Sequence, residues 1–137
     1  METEGEFMTV NIPQEKWSEF FNDLSQRRFG WTARVEVLNA EIGDQVLSDG
    51  LPLNGVTFEE KSGRSEIELA VGETADRHQT HVIPNPLKVQ YLDEGDFAGG
   101  VIEIKDADQT RTLVRLLNPM PIYLGYENYE IVLASSK

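Results

Sequence analysis

Only one stretch of this chain, Pro13 to Arg28 (PQEKWSEFFNDLSQRR), carries a helical repeat, and this limits what the remainder can become. Trp17, Phe20, Phe21 and Leu24 recur at i, i+3, i+4 and i+7, so at about 100° per residue they share one stripe. Glu15, Lys16, Glu19, Asp23, Gln26 and Arg27 fall on the other side. A stripe this aromatic needs a broad apolar surface opposite it. Asn11 and Gln14 have the spacing of a capping box, and Pro13 suits a first turn, where its missing N–H costs nothing. Arg27 and Arg28 complement the negative end of the helix dipole, and Gly30 is placed to end the helix in a left-handed conformation.

Beyond Gly30 the period changes from 3.6 to 2. Trp31, Ala33, Val35 and Val37 alternate with Thr32, Arg34 and Glu36, the pattern of a half-buried strand. Gln45–Leu47 reads as a weaker strand before an Asp49-Gly50 turn, and Asn54-Gly55 is a strong signal for a second tight turn. Val56 and Phe58 then face inward, and a hairpin loop follows around Gly63. Ile67, Leu69 and Val71 alternate with Glu66, Glu68 and Ala70. Gln79–Ile83 reads as a strand closed by Pro84 and Pro86, after which Leu87, Val89 and Tyr91 share one face. Val101–Lys105 and Thr110–Leu117 form a hairpin over Asp106-Ala107-Asp108. The expected fold class is α+β: one N-terminal amphipathic helix packed on a mainly antiparallel sheet of about seven short strands. The expected organisation is a disordered leader over residues 1–8, with Met8 as an alternative start, a single domain over 9–119, and a C-terminal tail over 120–137.

Composition removes several classes of chemistry. At 137 residues the chain is long enough to bury a core without disulfides or metal. It has no cysteine, which excludes disulfides, thiolate catalysis and cysteine-ligated zinc. The acidic METEGEF start lacks the features of a signal peptide, and the longest apolar run is Ile131 to Ala134. A cytoplasmic protein with no membrane partner is expected. Twelve basic against 24 acidic residues give a net charge of −12. Phosphate backbones repel such a chain, so no nucleic-acid partner is expected, and most of the charge reads as solubility.

Two imidazoles, His78 and His81, are where any base or metal hypothesis must begin. Three residues apart in a strand, they point to opposite faces and do not converge on one ion. Asp106-Ala107-Asp108 lacks the other ligands of a calcium loop, and turn chemistry accounts for it better. Gly99-Gly100 is followed by no helix to present to a phosphate. No cofactor and no metal site are expected. The leading reading is a non-enzymatic binding or regulatory domain acting through protein contacts or a small ligand. The competing reading is an enzyme whose site is assembled across strands near His81 and Asn85.

The tail has a composition of its own, with three of the four tyrosines at Tyr123, Tyr126 and Tyr129. Tyrosine couples a large apolar face to a polar tip, which suits interfaces. Tyr129–Leu133 is rich in β-formers, so the tail reads as an added strand, within the chain or against a partner or second copy.

Four stretches in order, IPQEKW (12–17), FGWTARVEVL (29–38), LPLNGV (51–56) and THVIPNP (80–86), resemble a family of small bacterial proteins catalogued only as a domain of unknown function. The resemblance runs from about Val10 to Pro119. It implies a bacterial single-domain protein and brings no catalytic residues with it.

Overall fold

The computed structural model describes residues 8–74, 76–93 and 99–119. Among them are eight strands and one α-helix. The chain runs β1 (Met8–Ile12), α1 (Trp17–Arg27), β2 (Trp31–Asn39), β3 (Gly43–Lys61), β4 (Arg64–Gly72), β5 (His78–Pro84), β6 (Pro86–Asp93), β7 (Gly100–Asp106) and β8 (Arg111–Pro119). Every pairing is antiparallel, in the order β1-β6-β7-β8-β2-β3-β4-β5. The helix is therefore not the first element, and there are eight strands where about seven are expected.

The strand missed by periodicity is β1. Asn11, expected to cap the helix, lies in this strand opposite Gln90 of β6. Ladder pairing outweighs the local capping pattern, and the helix starts without a side-chain cap. Gln14–Lys16 form a single 3₁₀ turn, and the Trp17 indole N–H donates back to the Ile12 carbonyl at 2.8 Å, pinning the helix to the strand before it. The helix ends as its sequence indicates. Gly30 takes φ +83° and donates its N–H to the Leu53 carbonyl at 2.8 Å.

The largest departure from the sequence pattern is β3, one strand of 19 residues. Its first half, to Pro52, pairs with β2, and its second half, from Leu53, pairs with β4. Asp49-Gly50 and Asn54-Gly55 are therefore not turns. Register shifts leave Leu47 and Gly50 as extra residues opposite β2, and Asn54 as an extra residue opposite β4. A bulge accommodates the positive φ of Gly50 (+99°) and sharpens the strand's bend without reversing it. The same effect displaces Leu87. It is the extra residue between Pro86 and Lys88, so it stands 61% exposed instead of sharing the inner face with buried Val89. The real reversal comes at Ser62-Gly63, both at positive φ, as a two-residue hairpin requires.

The bent β3 joins a six-stranded sheet (β1, β6, β7, β8, β2 and the first half of β3) to a three-stranded one (the second half of β3, β4 and β5). One core fills the space between them. Trp17, Phe21 and Leu24 supply the helix stripe; Ile67, Leu69, Val71 and Ile83 come from the smaller sheet; Val35, Val89, Ile102, Ile104, Val114 and Leu116 come from the larger. The helix packs mainly on β3. The Ser25 hydroxyl accepts from the Val56 N–H at 2.9 Å and donates to the Val56 carbonyl at 3.1 Å, tying the helix to the β3 backbone. Trp17 stands edge-on to Phe58 at 5.1 Å, and Phe20 edge-on to Tyr91 at 6.0 Å. Asp106 performs the turn role read from its sequence. Its carboxylate accepts from the N–H groups of Asp108 and Thr110 at 2.9 and 3.0 Å, closing the β7–β8 hairpin.

A cleft between the two sheets as candidate functional site

Because β3 leaves one sheet for the other at its bulges, the two sheets part on the side of its first half. The gap is a cleft of about 370 Å³. Val35 of β2 and Leu47 and Ser48 of β3 form one wall. Leu69 and Val71 of β4 form the other, with Gln79, Thr80 and His81 of the edge strand β5 along the rim. Val35, Leu69 and Val71 also belong to the core, so the floor of the cleft is apolar.

Of the polar residues lining the cleft, Ser48 and His81 are the two that are at least partly buried. Ser48 is only 7% exposed, and its buried hydroxyl has no hydrogen-bond partner among the described residues. A hydroxyl taken from water and left unbonded costs about 1–3 kcal/mol, so such a group is unusual in a core. Ser48→Ala is expected to raise stability by about 1 kcal/mol in urea unfolding, because only the unsatisfied hydroxyl is lost. A clear loss of stability would show that the hydroxyl is bonded after all.

His81 is half-buried opposite Leu69, and burial holds its imidazole below the ordinary histidine pKa of 6.5. Its folded-state pKa lies below its unfolded value, so the unfolded chain binds the proton more readily. The stability this group contributes is full above about pH 6.5 and is lost as the pH falls below that value. The melting temperature of His81→Gln relative to wild type is expected to rise between about pH 7.5 and pH 5.5. A difference that stays flat across that range would mean the imidazole is not desolvated.

The other expected residues fall elsewhere. His78 is exposed at the start of β5, and no three His, Asp or Glu residues gather as a metal-ligand set among the described residues. Asn85 sits about 13 Å along the chain from His81 and is not part of the cleft wall. Its role is in the backbone. At φ +50° it carries the chain from β5 into β6, donating its N–H to the Ser65 carbonyl at 2.9 Å and accepting from the Ala107 N–H at 3.0 Å. The structure thus does not join His81 and Asn85 into one site. Tyr123, Tyr126 and Tyr129 lie outside the described residues. Ser48 is the residue that sequence reasoning missed. Adjacent to Asp49-Gly50 it reads as part of a turn, and only the continuation of β3 places it inside.

Other hollows are less suited to holding a ligand. One of 310 Å³ at the β3–β4 hairpin is walled by exposed Glu59, Lys61 and Arg64, and a wider one of 570 Å³ lies open between β1 and α1.

A family of unknown function, DUF5335, matches residues 8–122. A protein of Aquifex aeolicus (strain VF5) described as uncharacterized is 33% identical over 114 residues, which span 83% of this chain and 96% of the relative. No solved structure matches the chain. No helix among the described residues is long and apolar enough to cross a membrane.

Proposed function

The chain belongs to the DUF5335 family, a family of unknown function, and from that premise we propose that it is a non-enzymatic binding domain whose small ligand sits in the cleft between its two sheets. One observation carries this reading: the buried, unpartnered Ser48 hydroxyl on the wall of an apolar cleft whose rim holds the half-buried His81. A concave apolar surface with a few convergent polar groups is the usual form of a small-ligand site. A serine nucleophile needs a base within hydrogen-bond reach. The Ser48 hydroxyl has no such partner among the described residues, which favours binding over catalysis. The net charge of −12 supports a role without nucleic acid, and a cytoplasmic location belongs to the same proposal.

A screen of small fragments against the ¹⁵N-labelled full chain tests the proposal. Amide shifts are expected to cluster at Ser48, Leu69 and His81. Hits that gather instead between β1 and α1, or no hits at the cleft, would overturn it.

A further inference from the structure

Resting on the cleft reading, we infer that the ligand is an uncharged amphipathic molecule, a hydroxyl- or carbonyl-bearing head on a short aliphatic body. The eight residues that wall the cleft include no Asp, Glu, Lys or Arg. A charged head would therefore leave water without a counter-charge to meet it, and burying an unpaired ion is far costlier than burying a neutral polar group. The surroundings add to this for anions, because a chain of net charge −12 repels a carboxylate.

The polar groups withdrawn from water define the head, since Gln79 and Thr80 on the rim are exposed. The Ser48 hydroxyl both donates and accepts, and so does a neutral imidazole. Burial favours the neutral form of His81. An alcohol or carbonyl oxygen accepts from the Ser48 O–H, whereas an ammonium only donates and gives that O–H no acceptor. The body follows from the walls. Val35, Leu47, Leu69 and Val71 offer aliphatic surface and no aromatic ring. The volume of 370 Å³ lies near the lower end for ligand sites, so the body is short.

Titration of the ¹⁵N-labelled full chain with n-hexanol, hexanoate and hexylammonium separates the possibilities. n-Hexanol is expected to shift the amides of Ser48, Leu69 and His81 and to bind about tenfold tighter than either ion, a modest fraction of the cost of burying an unpaired charge. Ser48→Ala is expected to stay folded by circular dichroism and to bind n-hexanol about fivefold more weakly, as loss of one hydrogen bond requires. Either ion binding at those amides as tightly as n-hexanol would overturn the ligand class and leave the cleft as a binding site. Unchanged n-hexanol affinity in Ser48→Ala would overturn the assignment of the head group. No shift at these amides with any of the three would overturn the binding reading and the inference together.

Discussion

Replacing Phe21 with alanine is expected to destabilise the protein by about 3–5 kcal/mol, the usual cost of emptying a fully buried aromatic site. Phe21 is 1% exposed at the centre of the helix stripe and packs edge-on to Phe20 at 5.3 Å, so the cavity it leaves lies between helix and sheet. Against a net stability of about 5–15 kcal/mol, this removes a large share. Thermal unfolding should show it as a fall in melting temperature of roughly 10 °C or more. Trp17→Ala should cost at least as much, since it also breaks the indole bond to the Ile12 carbonyl that ties α1 to β1. If both variants melt close to wild type, the helix does not pack on the sheets and the architecture is wrong.

The second large effect is expected where β4 hands over to β5. Gly72 adopts φ +154°, and a Cβ there would lie 2.5 Å from the Arg77 carbonyl oxygen and 2.6 Å from His78 Cα. Both are backbone atoms at the entry to a paired strand, so relief requires β5 to move, not a side chain to rotate. Gly72→Ala is expected to cost about 3 kcal/mol, combining a disfavoured backbone conformation with overpacking. Gly63→Ala provides the control. It too has a positive φ, +76°, but nothing lies within 4 Å of its added Cβ. It should therefore show only the conformational part, about 1–2 kcal/mol. Urea unfolding of the two variants separates the terms. A Gly72→Ala cost no greater than that of Gly63→Ala would mean that β5 does not approach β4 as described.

The sequence by itself determined the elements whose signals are local. The aromatic stripe at helical spacing placed Trp17, Phe21 and Leu24 in the core, and Gly30 stopped the helix. Alternation buried Ile67, Leu69 and Val71, and Asp106 closed its hairpin. These features rest on spacing within a few residues, so no distant contact is needed to form them. Only the tertiary structure decided the meaning of the glycines in β3. A glycine such as Gly50, at positive φ, serves equally in a reversal or in a bulge, and the choice depends on whether the residues on either side pair with each other or go on pairing along one neighbouring strand. Here both sides of Gly50 pair with β2 and both sides of Asn54 pair with β4, so the strand continues and bends. That single outcome parts the two sheets and turns Ser48 from an apparent turn residue into a buried hydroxyl lining the same apolar cleft as His81. The candidate site was therefore only half legible in the sequence. His81 stood out by its chemistry, whereas Ser48 gained its significance from burial, which long-range pairing creates and local pattern does not encode.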